Sequence, residues 1–503
     1  MTAIWNLAGP EARRYPALQK DLEVDVAIVG GGVTGLSTAI RLLEEGRKVA
    51  VLEALQVGGG SSGNSTGNLY GTLSQGLRRV RGKWGDDAVR EVGAVRRAAV
   101  DAIESRIRQY EIDCQFDRRP LYFCLPDPDD KQQQELADEY EASLLAGLRV
   151  QLVDNIPGMP VPVKRALLVE NQAQYNPLRY AMELARVVGG QGGQVFENTA
   201  VLDIDATEGR LATATGVVTA NHIVFATHTP KGINLLQAEM EPSREYGVAA
   251  PLRGDAGPEG IFWLLDNFHS VRTYRYEEQT YLVVIGEKHQ TGHDDAGEAR
   301  YRRLEDYARK HFEVEEFTHR WSAQQYKSAD QLPYIGRSAH DNVYVGTGYA
   351  ADGLTWAEVA AAIISGLVRD TESDAAQLFN PKRFTPVKSA KSWAALNAKV
   401  AKHLALDYLK LDKLEAFEQV APGEGKVVNV HGDKVAVYRS PDNALSVLSP
   451  VCPHMKCIVK WNAADVTWDC PCHGSRFKPG DGSVIEGPAY GPLRRLELLD
   501  TRQ

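Results

Sequence analysis

Two pairs of cysteine and histidine residues stand close together near the end of the sequence. Cys452 and His454 are separated by one residue, and Cys470 and His473 are separated by two. Each pair can therefore present one thiolate and one imidazole from a short loop. Two thiolates and two imidazoles can bind a [2Fe–2S] cluster, with both histidines on one iron, or a tetrahedral zinc ion. The spacing predicts a metal centre that has these four residues as its ligands.

The surrounding sequence favours the iron–sulfur cluster. Residues 412–499 resemble the Rieske domain, and Gly487–Ala489 resembles the proline loop that covers a Rieske cluster. The resemblance implies a [2Fe–2S] cluster held by the four residues named above. It also implies that Cys457 and Cys472 form the disulfide that ties the two ligand loops together and protects the cluster from water.

Two further positions bear on the reduction potential of such a cluster. Ser475 stands where related Rieske domains place a hydroxyl that donates to a cluster sulfur, which stabilises the reduced state. Phe477 stands where many relatives have a tyrosine, so that one hydrogen bond to sulfur is missing. The resemblance therefore implies an intermediate potential.

A dinucleotide-binding unit begins close to the other end of the sequence. Val24–Val29 is a nearly continuous apolar run, typical of a strand in a parallel sheet that is covered on both faces. A GxGxxG spacing, a helical pattern and a second apolar run, Val49–Leu52, follow it and end at Glu53. The glycines of this spacing are Gly30, Gly32 and Gly35. In this order the glycines let a pyrophosphate approach the helix N-terminus, and Glu53 is placed to bind ribose hydroxyls.

Two more segments indicate that the dinucleotide is FAD. Gly58–Leu69 resembles the glycine- and serine-rich turn of the D-amino-acid oxidase superfamily, although alone it also fits a flexible surface loop. Val343–Thr355 resembles the C-terminal FAD signature of the same superfamily, within which the chain is similar to the glycine oxidase and γ-glutamylputrescine oxidase group. The resemblance implies further FAD contacts at Ser62, Asn68, Leu69, Val201, Thr227, Gly348, Gly353, Leu354 and Thr355. Asn64 departs from the pattern, because many relatives have an arginine there.

A helix is predicted immediately after this signature. Thr355–Glu358 fits a capping box, with a threonine followed three residues later by a glutamate, and the helical pattern continues to Val368. A helix that begins here would direct its partial positive charge at the N1–C2=O edge of the flavin and favour the anionic reduced form.

The candidate catalytic residues lie on predicted short strands, Ser270–Tyr276 and Thr280–Ile285. These strands resemble the sheet that covers the substrate side of the flavin in the superfamily. The candidates are Arg272, Tyr274 and Arg275. Alternation along a strand puts the first two on one face and the third on the other. The alternative is that the three residues lie at a solvated edge of the sheet.

Several features bear on the substrate and partners. Amino-acid oxidases of this superfamily often hold the substrate carboxylate with an arginine, and that place is taken by Gln325, which argues against a simple α-amino acid. The chain has a net charge of −9 and no basic stripe. Nucleic acid is therefore not expected as a partner, whereas an acidic surface weakly suits a cationic amine.

His289 and His293 could suggest a mononuclear metal, because Rieske oxygenases bind iron with two histidines and a carboxylate. No strand or helix pattern orders the segment Gly286–His293, and it resembles a loop of flavin–Rieske oxidoreductases instead. A second metal is therefore not expected.

The expected fold class is an α/β FAD-binding domain of the Rossmann-like GR2 type with an α+β substrate subdomain, followed by an all-β Rieske domain. The oxidoreductase domain is expected over residues 1–375, a linker and docking helix over 376–411, and the Rieske domain over 412–503. Within the first domain, the FAD-binding parts are about 20–80, 165–230 and 325–375, and the substrate subdomain is about 81–164 and 231–324. The most apolar run, Ala360–Val368, is too short to span a bilayer, and the N-terminus lacks a signal segment, so we expect a cytoplasmic protein.

These features predict an enzyme in which FAD oxidises a C–N bond of a small amine or amino-acid derivative. The cluster would pass the electrons to an external acceptor such as a ferredoxin, a quinone or oxygen. One alternative is a flavin and Rieske reductase component that serves a separate oxygenase. The sequence contains one complete dinucleotide fingerprint, which disfavours that alternative. The other alternative is direct reaction of the flavin with oxygen, with a structural or regulatory cluster.

Overall fold

The computed structural model describes residues 2–8, 14–254, 257–293, 297–383, 386–406, 419–430 and 433–496, with the backbone alone for 386–392 and 405–406. The strands are β1 (Leu22–Val29), β2 (Val49–Leu52), β3 (Asn68–Leu69), β4 (Asp117–Leu125), β5 (Val150–Val153), β6 (Arg165–Gln174), β7 (Gln194–Phe196), β8 (Asp203–Asp205), β9 (Arg210–Ala212), β10 (Val217–Phe225), β11 (Met240–Pro251), β12 (Ile261–Leu264), β13 (His269–Tyr276), β14 (Gln279–Gln290), β15 (His319–Ser328), β16 (Tyr334–Arg337), β17 (Val343–Thr347), β18 (Gly425–Val430), β19 (Asp433–Arg439), β20 (Leu445–Leu448), β21 (Lys460–Asn462), β22 (Thr467–Asp469), β23 (Arg476–Phe477) and β24 (Val484–Glu486). The α-helices are α1 (Val33–Glu44), α2 (Leu77–Trp84), α3 (Asp86–Gln109), α4 (Asp130–Leu145), α5 (Pro177–Gly190), α6 (Gly297–His311), α7 (Gly353–Val368), α8 (Asp374–Leu378) and α9 (Pro386–Leu406). Short 3-10 helices occur at Ile4–Ala8, Leu235–Glu239 and Ala350–Asp352.

The first sheet positions the dinucleotide-binding residues. Its strands have the order β16-β17-β10-β1-β2-β7, and β8 and β9 extend it beside β10. The predicted strands around Val24–Val29 and Val49–Leu52 are confirmed as β1 and β2, which pair in parallel. These strands are apolar because both faces are covered: Ile28 packs towards the helices, whereas Ala27 packs into a separate core with Val201. The first turn of α1 therefore lies at the carboxyl end of β1.

The second sheet forms the opposite side of the first part of the chain. It has the order β15-β11-β14-β13-β12-β4-β6-β3, with β5 beside β6. The strands β11, β14 and β15 are long and antiparallel. One face of this sheet packs on α6 through a core that includes Val248, Val284 and Leu304. The other face of this sheet lies on the side of the dinucleotide-binding unit.

Three predicted element boundaries were wrong. The apolar runs over residues 200–204 and 216–220 also predict strands; the first begins only at Asp203, and the second is part of one longer strand, β10, which continues to Phe225. The segment after Ile285, expected to be a loop, continues β14 as far as Gln290 because it pairs with β11. Pairing with strands far along the chain extends these elements, and the local sequence does not contain that information.

The capping box was also wrong. Helix α7 begins at Gly353, two residues before Thr355, and no side chain caps its N-terminus. Glu358 instead pairs with Arg41 of α1 and Arg106 of α3. A window over this helix, Ala350–Val368, is long and apolar enough to cross a membrane, but 83% of it is buried inside the protein. The helix therefore serves as the packing centre for its neighbours.

The C-terminal part is built from two small antiparallel sheets, β18-β19-β20 and β21-β22-β23-β24. The sequence predicts three short strands over residues 426–430, 434–438 and 444–448, and these are confirmed as β18, β19 and β20. A stripe of apolar residues from Trp393 to Tyr408 predicts the docking helix over Lys391–Leu411; the helix begins earlier, at Pro386, and residues 407–411 lie outside the described residues. Val400 packs against the core of the C-terminal sheets, and the Asn397 side chain donates to Ala238 O. The helix therefore contacts both parts of the protein, although Trp393 and Leu404 of its predicted apolar stripe are exposed.

Candidate active site and metal centre

A cavity of about 290 Å³ lies between the two large sheets and the C-terminal part. Its lining includes Glu53, Val201 and the first turn of α1. Gly247 and Trp321 of the second sheet also line it. Residues Val484–Gly487 and Tyr490 of the C-terminal part complete the wall. The cavity is therefore shared by both parts of the chain.

The glycines beside the cavity are required by backbone geometry. Gly30 has φ +113°, and a Cβ there would lie 2.5 Å from Ala226 O. A Cβ on Gly35 would lie 2.1 Å from Gly30 O, so only glycine allows α1 to pack this closely on β1. The amide of Val33 donates to Ser62 Oγ (3.1 Å) at the start of the helix. The loop around Ser62 and the first turn of α1 together form a cradle suited to an anion such as a pyrophosphate.

Glu53 also lines the cavity, next to the cradle. Its carboxylate accepts hydrogen bonds from Gly31 N (2.7 Å) and Leu55 N (2.8 Å). Burial raises the pKa of the Glu53 carboxyl, and the two amide donors oppose that effect. The carboxylate is thus held in a fixed position at the point where ribose hydroxyls were expected to bind.

The predicted FAD contacts divide into two groups. Eight of the expected residues line the cavity, namely Gly30, Gly32, Glu53, Ser62, Val201, Thr227, Gly353 and Leu354. The others shape its surroundings: Asn68 and Leu69 form β3, and Thr355 Oγ1 accepts from Tyr70 N. Gly348 has φ +79°, a turn conformation that favours glycine. The Asn64 side chain, in place of the usual arginine, donates to two carbonyls within its own loop.

None of the three candidate catalytic residues lines the cavity. The guanidinium of Arg272 donates to Thr66 O (2.9 Å) and lies 5.1 Å from the ring of Trp5, and burial lowers its pKa to about 9. Tyr274 stacks edge-on against the same ring and donates to Gln115 Oε1 (2.8 Å). The side chain of Arg275 is exposed. The predicted division between the two strand faces is confirmed, but this placement gives the catalytic role no support and it stays a prediction.

Trp5 was missed by the sequence analysis and explains this arrangement. It is fully buried, and its indole donates to Ser65 O (2.9 Å) in the glycine- and serine-rich loop. The 3-10 helix that contains it packs on the second sheet beside Trp321. The apolar run Ala3–Trp5 before the first strand was the available signal.

The cavity end formed by the second sheet carries a polar pair that was only partly foreseen. Gln325 lines the cavity, as its alignment with a substrate-binding arginine implied, and accepts a hydrogen bond from Lys288 Nζ (3.2 Å). Its side chain also forms a hydrogen bond with Glu245, which lines the same cavity. Glu245 was not recognised because it interrupts an otherwise buried strand without belonging to a motif.

The four predicted metal ligands come together in the C-terminal part. Cys452 and Cys470 are buried free thiols, and the rings of His454 and His473 lie 5.0 Å apart. Both Nδ1 atoms are buried without a hydrogen-bond partner in the part of the chain that the structure describes. Burial lowers the pKa of both histidines to about 4, which keeps the neutral form that can bind a metal. Two sulfurs with two unpartnered imidazole nitrogens fit a [2Fe–2S] cluster of the Rieske type.

The loops around these ligands are held together covalently and by packing. Cys457 and Cys472 form a disulfide, as expected. A Cβ on Gly487 would lie 2.5 Å from Ser475 Cα, so the segment expected to be a proline loop lies directly against Ser475. Phe477 is fully buried among the same core residues as Cys452.

Hydrogen bonds join the ligand loops to the first part of the chain. His454 Nε2 lies 2.9 Å from Gln237 Oε1. The side chain of Gln324 donates to Gly474 O (2.8 Å), and Tyr326 Oη donates to His473 O (3.2 Å). Lys231 Nζ donates to the carbonyls of Gly487 and Ala489. Both histidine loops therefore contact the first part of the chain.

A buried ionic network lies beside these contacts. The guanidinium of Arg244 lies 2.7 Å from Asp465 and 3.2 Å from Glu486. Arg476 pairs with the same two carboxylates at 3.1 and 2.8 Å. Burial opposes the ionisation of Asp465, but the two guanidinium groups hold its pKa at about 2.

His289 and His293 are not brought together as metal ligands. His289 stacks on Tyr246, and His293 contacts His403. Across the described ranges, the one close group of three potential metal ligands is Cys457, Cys470 and Cys472. That group belongs to the cluster loops.

Comparisons with known proteins cover both parts of the chain. The profile of the DAO family, described as FAD dependent oxidoreductase, matches residues 25–367, and that of the Rieske [2Fe-2S] domain matches residues 412–497. The putative Rieske 2Fe-2S iron-sulfur protein YhfW of Bacillus subtilis (strain 168) is 32% identical over 491 residues, which are 96% of this chain and 95% of that protein. Gamma-glutamylputrescine oxidoreductase of Escherichia coli (strain K12) is 26% identical over 368 residues, 71% of this chain and 86% of that protein. The crystal structure of glycine oxidase from Geobacillus kaustophilus has a similar fold, with a TM-score of 0.61 and 18% identity over 72% of this chain and 100% of that one.

Proposed function

Because the chain belongs to the DAO family of FAD-dependent oxidoreductases and carries a C-terminal Rieske [2Fe–2S] domain, we propose that it oxidises a C–N bond of an amine and delivers the electrons to an external acceptor. When bound, FAD supplies a two-electron acceptor and the cluster supplies one-electron transfer. The observation that carries the proposal is the shared cavity wall, to which the Rieske domain contributes Val484–Gly487.

The reaction is balanced by simple chemistry on the substrate. The amine loses a hydride from the carbon next to nitrogen and a proton from nitrogen, which leaves an imine. Water then hydrolyses the imine to a carbonyl compound and a free amine or ammonia. The relative from Escherichia coli is named for γ-glutamylputrescine, itself an amine, which supports this substrate class for the present chain.

The residues that would hold FAD run along the cavity in order. The first turn of α1 with Ser62 would bind the pyrophosphate, and Glu53 would bind the adenosine ribose. The second sheet then bounds the space left for the substrate at Gly247 and Trp321. A wall built largely of apolar groups excludes water from that end, which protects the imine until it is released.

A packed path leads from the cavity wall to the cluster ligands. Ser61 lines the cavity, and its hydroxyl lies 3.1 Å from His228 Nδ1. The ring of His228 packs edge-on against Tyr326, with 4.8 Å between ring centroids. Tyr326 then donates to the backbone carbonyl of His473. This continuity supports electron transfer from the flavin site to the cluster over a purely structural cluster.

The proposal is tested by anaerobic stopped-flow absorbance of the holoprotein with a panel of amines. We expect flavin bleaching by at least one amine, followed by cluster bleaching at its own wavelengths. Flavin that no amine reduces, but that a reduced nicotinamide does, would favour the reductase alternative. Flavin reduction that oxygen reverses while the cluster stays oxidised would favour direct oxidation by oxygen.

A further inference from the structure

Three carboxylates line the cavity within the described residues, and they differ in their partners. Glu53 accepts from two backbone amides. Glu486 pairs with Arg244 and Arg476. Glu245 forms no salt bridge within the described residues; the nearby charge of Lys288 and a hydrogen bond from Gln325 favour its ionised form. Glu245 is therefore the cavity carboxylate that can accept a cationic partner.

The position of Glu245 places it at the substrate end. It lies on β11 opposite Ala323 of β15, and two residues along the same strand Gly247 lies opposite Trp321. All four residues line the cavity, together with Ile285 of β14. Glu53, where the adenosine would bind, instead follows β2 of the first sheet.

The surrounding wall suits a hydrocarbon chain. A Cβ on Gly247 would lie 2.6 Å from the ring of Trp321, so the ring lies over that glycine. The indole is fixed by its donation to Asn64 O (3.1 Å). With Ile285 and Ala323, the ring forms an apolar surface beside a single carboxylate.

The partners of Gln325 fix which way its amide points. Its Oε1 accepts from Lys288 Nζ, so its NH₂ group is the one that faces Glu245. The amide therefore donates to the carboxylate and holds it in place. A substrate carboxylate at this end would meet the negative charge of Glu245, whereas the Lys288 ammonium is bound to Gln325 Oε1 and does not line the cavity.

We propose that Glu245, held by Gln325, binds the ammonium group of the substrate and makes the enzyme selective for aliphatic amines that lack a carboxylate on the amine-bearing carbon. This inference rests on the proposed amine oxidation and adds the substrate class and the residue that selects it. Burial raises the pKa of Glu245, and a bound cation offsets that effect by favouring the ionised carboxylate.

Matched ligands test the selectivity. n-Butylamine and norvaline share one hydrocarbon chain, and norvaline adds a carboxylate on the carbon that bears the amine. Binding is measured on the oxidised holoprotein without oxygen, from the initial change in flavin absorbance and from the shift in thermal unfolding. The variants are Glu245→Gln, Gln325→Arg and the control Glu241→Gln, which lies on β11 outside the cavity lining.

We expect the wild-type protein to bind n-butylamine at least tenfold more tightly than norvaline. Glu245→Gln should lose at least tenfold in affinity for n-butylamine, and Glu241→Gln should not. Gln325→Arg should lose affinity for n-butylamine and gain it for norvaline, because the new guanidinium pairs with Glu245 and attracts the carboxylate. If Glu245→Gln does not fold, the affinities of Gln325→Arg for n-butylamine and norvaline still test the proposal.

Equal affinity of wild-type protein and Glu245→Gln for n-butylamine would overturn the inference, as would a wild-type preference for norvaline. The two proposals fail separately. Amine binding that depends on Glu245 but never leads to flavin reduction would contradict amine oxidation and leave the recognition role standing. If n-butylamine reduces the flavin of wild type and of Glu245→Gln at the same concentrations, amine oxidation stands and the recognition role of Glu245 is contradicted.

Discussion

Ser475 shows how one side chain can adjust the properties of the cluster. It is fully buried, its Oγ accepts from Ala489 N (3.2 Å), and its hydroxyl hydrogen-bonds to the sulfur of Cys452. A donor to a cluster sulfur stabilises the additional negative charge of the reduced state. We expect Ser475→Ala to lower the reduction potential and Phe477→Tyr to raise it.

Protein-film voltammetry of the purified holoprotein measures both shifts. Ser446→Ala, in β20 of the same domain, is the matched control and should leave the potential unchanged. If neither variant moves the potential, then residues 475 and 477 do not interact with the cluster sulfurs. A shift of the same size in the control would indicate a general change in the domain.

Glu139 links stability to pH. It accepts from Leu77 N and Arg78 N at the start of α2, and burial raises its pKa from 4.5 to about 7. Between these values the folded protein holds a proton that the unfolded chain has released, so this carboxyl contributes less stability as the pH rises through that window. Glutamine does not titrate. We therefore expect the free energy of unfolding of Glu139→Gln, relative to wild type, to increase by about 1–3 kcal/mol from pH 5 to pH 8.

Urea denaturation at four pH values between those limits checks this expectation. The surface variant Glu141→Gln, on the same helix, provides the control. A difference between Glu139→Gln and wild type that stays constant with pH would mean that Glu139 is ionised over the whole range.

At the scale of elements, the buried pair between Arg106 and Glu358 joins α3 to α7. Both side chains are almost fully buried, and Arg41 of α1 adds a second contact to Glu358 at 2.6 Å. Removing one partner leaves a buried charge with incomplete compensation, which typically costs about 3–5 kcal/mol. We expect Arg106→Met to destabilise the protein by an amount near the lower end of that range, because Arg41 remains.

The double variant Arg106→Met with Glu358→Met supplies the second measurement. Replacing both charges by apolar groups of similar size removes the unpaired charge, so the double variant should be more stable than Arg106→Met alone. Additive losses in chemical denaturation would contradict a direct interaction between the two side chains.

The same helix shows what the sequence could and could not predict. The unit from β1 to β2 was predictable because its apolar runs and glycines carry local geometric requirements. The capping box at Thr355 failed because Glu358 pairs with two arginines that are distant in the sequence. Arg106 is separated from it by 252 positions, and Arg41 by 317 positions. For the same reason Arg272 was expected to face the flavin, whereas Trp5, more than 260 positions earlier, covers it. Contacts between distant segments decide such positions, and no local pattern records them.

At the scale of the whole molecule, the Rieske domain is docked through polar groups that are buried together. Arg244 and Arg476 share the carboxylates of Asp465 and Glu486. Separating the domains would break this network and leave several charges exposed to water or buried without a partner. The cluster site therefore has one preferred position against the cavity wall, and that position places His473 next to Tyr326.

Because the cluster site has a fixed position, reduction of the flavin and transfer of electrons through the cluster are separate steps. One variant can distinguish them. Cys470→Ala removes a predicted cluster ligand, while the cavity residues that would bind FAD and substrate lie mostly outside the Rieske domain. We expect its flavin to be reduced by the amine at a rate close to that of wild type, because the C–N bond is broken at the flavin. Turnover with a one-electron acceptor should fall at least tenfold, because the path through His473 no longer ends at a cluster. Cys114→Ala, which removes a buried thiol in the core of the first part of the chain and outside the cavity lining, is the matched control and should keep both activities. Stopped-flow absorbance with and without the acceptor separates the steps; full turnover by the cluster-free variant with a one-electron acceptor would show that electrons leave the flavin by another route.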